Sequence, residues 1–66
     1  MSESLSQLAD AIEAIERRVS DVIFESVRAQ LRDDQAEEAR ELEKRLSRVR
    51  RSLQKAEGLL RGYDGD

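Results

Sequence analysis

The residues with chemistry to offer fall into three groups. The first is the stretch Lys44-Arg45-Leu46-Ser47-Arg48-Val49-Arg50-Arg51-Ser52-Leu53-Gln54-Lys55, which holds six bases and no acid. On a helix, Lys44, Arg48, Arg51 and Lys55 recur at i, i+4, i+7 and i+11 on one face, while Arg45 and Arg50 border the apolar side. Such a row binds phosphate by counterion release and charge-assisted hydrogen bonds. Its bland alternative is a solvated face that pairs with Asp10, Glu13 and Glu16 of a neighbouring helix. Internal pairing is the expectation, because the stretch has no aromatic for base stacking and no base-reading motif. Arg45, Arg48, Arg51 and Lys55 are the candidate anion or nucleic-acid contacts.

The second group is the carboxylate cluster Asp34, Glu37, Glu38 and Glu41. At a helix start such acids serve as partners of the macrodipole. No interrupted loop supplies the carbonyl oxygens that calcium sites use, so neither a metal nor any other cofactor is expected. The third group is the serines. The chain has no His and no Cys, and no buried Lys is evident, so nothing could activate a hydroxyl. Carboxylates on an open helical surface also lack a cleft to shift their pKa values. The reading is that of a protein that is not an enzyme.

What remains is apolar surface, and its spacing dictates the elements. Leu5, Leu8, Ile12, Ile15, Val19 and Val22 alternate by three and four, with Ser26 and Ala29 continuing weakly. Ala39, Leu42, Leu46, Val49, Leu53, Ala56 and Leu60 do the same. The two stripes are out of phase by one residue, which two separate helices would leave. Helix 1 is expected over about residues 4–32, a turn at about 33–34, and helix 2 over about 35–61, with 62–66 as a flexible tail. Ser4 with Gln7 fits a capping box, Ser2 is a rival N-cap, and Asp34 with Glu37 fits a second box. Gly62 suits the end of helix 2. No Gly, Asn or Pro marks the turn, so one continuous helix of about 57 residues, about 85 Å long at 1.5 Å per residue, is the alternative. Folding the hairpin sets Leu8 against Ala56, Ile12 against Leu53, Ile15 against Val49, Val19 against Leu46 and Val22 against Leu42, with Glu16 and Arg50 flanking as a pair.

Size then decides what the stripes are for. The chain has 66 residues, no Cys and no Pro, and aromatics only at Phe24 and Tyr63. Below about 70–80 residues one core rarely supplies more than about 3–5 kcal/mol, and disulfides, a metal or a partner chain make up the rest. A partner chain is the remaining choice. The fold class expected is all-α: an antiparallel helical hairpin of coiled-coil type that dimerises into a four-helix bundle. Leu8, Ile12, Ile15, Val19, Leu42, Leu46, Val49 and Leu53 are the expected self-association residues. Ile23, Phe24, Val27 and Leu31 lie off that stripe. They are either drift of the core or a second interface for a partner protein, in which Phe24 would be the anchor.

Charge is lopsided beneath a net −3. Residues 1–43 carry 12 acids and 5 bases, a balance of −7, whereas 44–55 carry +6. The N-terminus has no basic n-region or apolar h-region, and the longest strongly apolar run, Val22-Ile23-Phe24, is too short to span a bilayer. A cytoplasmic protein with no membrane association is expected.

In length, in a stripe starting near Leu5–Leu8, in the acidic turn Asp33-Asp34-Gln35-Ala36 and in the Gly/Asp tail, the chain resembles the Rop family of small helical hairpins that modulate plasmid-copy-number RNAs. The resemblance implies a dimeric antiparallel four-helix bundle. That family binds paired RNA loops through polar, basic and aromatic residues on the outer face of helix 1. The matching face here, Glu3, Gln7, Asp10, Ala14 and Arg17, is largely acidic or neutral, so no RNA-contact residue carries over. The expected role is a helical protein–protein interaction module acting as adaptor, regulator or inhibitor, with nucleic-acid binding through the basic row as the alternative.

Overall fold

The structure, a computed structural model, describes residues 4–62, with Asp33 by its backbone alone. The second N-cap candidate, Ser2, and the tail beyond Gly62 lie outside the described residues. Helix α1 runs Leu5–Ala29, a short 3-10 turn runs Asp33–Gln35, and helix α2 runs Ala36–Arg61. The two helices pack against each other antiparallel, as the contacts of Asp10 with Arg61, Ser20 with Arg50 and Gln30 with Glu43 require. The longest dimension is 50 Å, far short of the rod of about 85 Å. Among the described residues no helix is long and apolar enough to cross a membrane.

Each helix end has a local cause. The Ser4 N–H donates to Gln7 Oε1 at 3.0 Å and the Gln7 N–H donates to Ser4 Oγ at 3.1 Å, a closed capping box that satisfies two donors the helix cannot use internally. Gly62 ends α2 at φ +91°, the left-handed region that a side chain disfavours. Its N–H donates to Leu59 O at 3.2 Å.

The turn differs from expectation. Helix α1 stops at Ala29, the last residue of its stripe and short of the expected end near 32, and the Asp34–Glu37 box does not form: Gln35 precedes α2 without a side-chain cap. Instead the chain tightens. Leu31 N–H donates to Arg28 O and Arg32 N–H to Ala29 O, both three residues back, before Arg32 itself becomes extended. No non-glycine residue here takes a positive φ. That is why the turn contains neither Gly nor Asn: no position in it needs one.

The larger difference is in the seam. The residues turned inward on α1 are Ala9, Ile12, Glu16, Val19, Ile23, Ser26 and Gln30; on α2 they are Ala36, Ala39, Glu43, Leu46, Arg50, Leu53, Glu57 and Leu60. Only alternate members coincide with the apolar stripes. Leu8, Ile15, Val22, Leu42 and Val49, expected to meet across the seam, keep 38–44% of their surface exposed at its edge. The inward line is therefore rotated from the stripe by half a residue step, about 50° at 100° per residue.

The hairpin has no enclosed core. Among the described residues Ala9, Ile23 and Ala39 are the buried hydrophobics, and no large side chain is fully buried. The two helices lie side by side as a slab whose smallest dimension is 12 Å. The radius of gyration is 14.9 Å, against about 11 Å for a compact domain of this length.

Candidate interaction surfaces

A slab of two helices has two faces, and the sequence makes them unlike. Both helices are right-handed and run in opposite directions. The position just before an inward residue therefore lies on the same side of the slab in each. That side carries Leu8, Ile15, Val22 and Ala29 from α1, and Leu42, Val49 and Ala56 from α2. A groove along it is lined by Val22, Ser26, Ala29, Ala39 and Leu42, together with Glu25, Gln35 and Glu38. Leu5, 61% exposed, extends the row toward the open end. Of the eight residues expected to mediate self-association, Ile12, Val19, Leu46 and Leu53 line the hairpin's own seam, whereas Leu8, Ile15, Leu42 and Val49 share this face.

The opposite face has the positions just after the inward ones: Glu13, Ser20 and Val27 on α1, Ser47, Gln54 and Arg61 on α2. It is polar toward the open end, where a groove is lined by Glu13, Glu16, Arg17, Ser20, Arg50 and Gln54. Toward the turn it is apolar. Phe24 and Leu31 are 70% and 84% exposed, and Val27 lies exposed beside them. Ile23 does not belong to this group: it is 8% exposed and turned into the seam, so it packs the hairpin and is out of a partner's reach.

Polar side chains cross between the helices at three levels. Near the turn, Gln30 Nε2 donates to Glu43 Oε1 at 2.6 Å. At mid-length, Arg50 Nη1 donates to Ser20 Oγ at 3.2 Å, so Arg50 does not pair with Glu16 as expected. At the open end Arg61 is the hub. Its Nε meets Glu57 Oε2 at 2.7 Å, and its Nη2 meets Asp10 at 3.0 Å and Glu13 at 3.3 Å. The Glu57 hydrogen bond, and then that to Asp10, hold the guanidinium above its ordinary pKa. Ser26, buried in the seam, satisfies its hydroxyl by donating to Ile23 O at 2.8 Å.

Glu16 is the strained member of the open end. Its Oε2 is buried, and as a carboxylate it finds no donor. As a carboxylic acid it donates to Glu57. That shared hydrogen bond is the main reason its pKa stands above the usual 4.5; burial and the charges of Glu57 and Glu13 add to the effect. The same bond, with that from Arg61, holds Glu57 below 4.5. Sequence spacing gave no sign of this pair. The signal available was that Glu16 and Glu57 both fall on the inward side once the stripes are shifted by one residue.

The basic row does not pair internally. Asp10 and Glu13, its expected partners, are taken by Arg61, with Arg17 also 3.5 Å from Glu13. Lys44, Arg45, Arg48, Arg51 and Lys55 are all exposed, and among the described residues none forms a salt bridge. Asp34, Glu37, Glu38 and Glu41 are exposed along the start of α2, and among the described residues no acidic group converges as a metal site would. Comparison with known proteins finds no matching family model, no similar curated protein and no similar solved structure.

Proposed function

We propose that this chain is a non-enzymatic helical interaction module that works as a homodimer. Two hairpins join through the Leu8–Ile15–Val22 and Leu42–Val49 face into a four-helix bundle, as the resemblance to the Rop family implies. One observation carries the reading: both apolar stripes turn about 50° away from their own partner helix, and toward the same face of the slab. In a square bundle the central axis lies 45° from the direction of the nearest neighbour, so each stripe points where such an axis would run. Burial supports the same reading. A slab one helix thick encloses nothing, and a second copy would supply the missing wall. The face measures about 50 by 26 Å, ample for the roughly 800 Å² per partner of a stable interface.

The dimer then acts as adaptor, regulator or inhibitor by presenting its outer surface to another protein. Phe24, Val27 and Leu31 are the contact, since they lie on the side that the bundle leaves open. Light scattering after size exclusion tests the assembly: the reading requires twice the 7.6 kDa chain mass, and a well-folded monomer at micromolar concentration refutes it.

A second reading has its own observation. Among the described residues Arg45, Arg48, Arg51 and Lys55 form no salt bridge, so they are available to phosphates. It requires duplex or RNA binding that weakens steeply with salt, and no binding at about 50 mM salt removes it.

A further inference from the structure

Dimerisation through the apolar face leaves the other face exposed, and its chemistry is specific. Near the turn, Phe24 and Val27 of α1 and Leu31 just beyond its end follow at spacings of three and four and form one ridge. On the same helix the groove beside Phe24 is lined by Arg28 with Asp21 and Glu25, and Arg17 is 3.5 Å from Glu13. Across the slab, α2 presents Arg40, Lys44, Ser47 and Arg51, again alternating by four and three. On α2, Glu43 is half-buried and accepts from Gln30 Nε2 at 2.6 Å. Arg40, Lys44 and Arg51 are exposed and form no salt bridge among the described residues. An apolar ridge on one side of the slab thus faces a row on α2 in which cations prevail.

From this juxtaposition we infer that the face formed by Phe24, Val27 and Leu31 with Arg40, Lys44 and Arg51 docks an acidic amphipathic helix of another protein. The period of the two sides fits that occupant. A helix that buries residues at three- and four-residue spacing on the ridge repeats its flanking carboxylates at the same pitch, about one per 5.4 Å turn. Arg40, Lys44, Ser47 and Arg51 follow that pitch. Nucleic acid would use the cations and leave the ridge bare, because a single aromatic gives no platform on which successive bases stack. A second copy of this chain is accommodated on the opposite face. The charge pattern therefore selects the partner and the apolar ridge supplies the anchor, the usual division of labour in an interface.

This inference rests on the interaction-module reading, and the experiment separates the two. The full chain, isotope-labelled, is titrated with two synthetic three-heptad peptides. Both carry leucines on one face; one is flanked by glutamates and the other by lysines. A DNA duplex is the third probe. The acidic peptide should shift the amide signals of residues 24, 27, 28, 31, 40, 44 and 51, and the lysine peptide should not. Phe24→Ala, at an exposed position that the fold does not need, should weaken the acidic peptide on the order of thirtyfold. Lys44→Glu with Arg51→Glu should reverse the preference between the peptides. Equal binding of both peptides overturns the inference, as do shifts confined to the Leu8–Ile15–Val49 face or duplex binding that survives Phe24→Ala. Light scattering on the same samples reads the assembly. A dimer that ignores the acidic peptide refutes this inference and leaves the dimer standing, whereas a monomer that binds it at Phe24 does the reverse.

Discussion

Replacing Ile15 by alanine tests the dimer face at its centre. Ile15 keeps 44% of its surface exposed in the single hairpin, between Leu8 and Val22 on the apolar row. Full burial of such a side chain stabilises by about 1.5–3 kcal/mol. Covering the exposed part is therefore worth about 1 kcal/mol. A two-fold interface counts every substitution twice, so Ile15→Ala should weaken dimerisation by about 2 kcal/mol, roughly thirtyfold in Kd. Sedimentation equilibrium over a dilution series measures this directly. The control is Phe24→Ala, which deletes a larger and more exposed apolar group, 70% accessible. If association followed exposed hydrophobicity in general, Phe24→Ala would do more damage than Ile15→Ala. If it follows the face, Phe24→Ala leaves the dimer constant unchanged. Equal Kd values for the Ile15→Ala and unaltered chains would refute the assignment, and so would a loss on Phe24→Ala as large as that on Ile15→Ala.

Three other substitutions probe the hairpin itself. Ser4→Ala removes one half of the closed capping box and should cost about 1 kcal/mol, lowering Tm by about 4–8 °C in a thermal melt; an unchanged Tm would show that the box contributes nothing. Glu16 and Glu57 make stability depend on pH in opposite senses. Glu16 is raised above 4.5, so its contribution is full at lower pH and is lost as pH climbs through the raised value. Glu57 is depressed below 4.5, so its contribution is full above the ordinary range and is lost as pH falls through the depressed value. Melting temperature should therefore decline from mildly acid conditions toward neutrality. Glu16→Gln, whose amide can donate to Glu57 at every pH, should abolish that decline, and a decline that persists in the variant assigns it to other groups. Arg61→Ala removes the contacts to Asp10, Glu13 and Glu57 together. Faster amide exchange in the last turn of α2 and the first turns of α1 is expected, and exchange that quickens in α2 alone would show that the cross-helix contacts do not hold the open end.

The elements were legible because their signals are local. Capping at Ser4 and Gln7, the left-handed end at Gly62 and the one-residue phase break between the stripes each need only a few neighbouring residues. The seam was not legible, for a physical reason. Periodicity locates the centre of an apolar arc, and in an assembly that centre faces the common core. A lone pair of helices meets along the edge of the arc instead, where Ala9, Glu16, Ser26, Arg50 and Glu57 stand. Small residues there let the helices approach, and polar ones find partners across the gap. Hence Ile23, read as part of an outer stripe, is inside, while Ile15 and Val49 are at the rim. The basic row was read as internally paired because sequence cannot tell which cation reaches Asp10 and Glu13 first. Arg61 does, being in line with them at the open end.

No non-glycine residue in the turn between the helices takes a positive φ. Straightening the turn would relieve no left-handed residue and would break only short-range bonds such as Leu31 N–H to Arg28 O and Arg32 N–H to Ala29 O. Closure instead depends on side chains that bridge the helices, of which Gln30 to Glu43 is the nearest. Two chains could therefore exchange their second helices and keep every helix-to-helix contact, giving up only the turn. The fold is in this sense defined by which faces meet, and is indifferent to whether one chain or two supplies them.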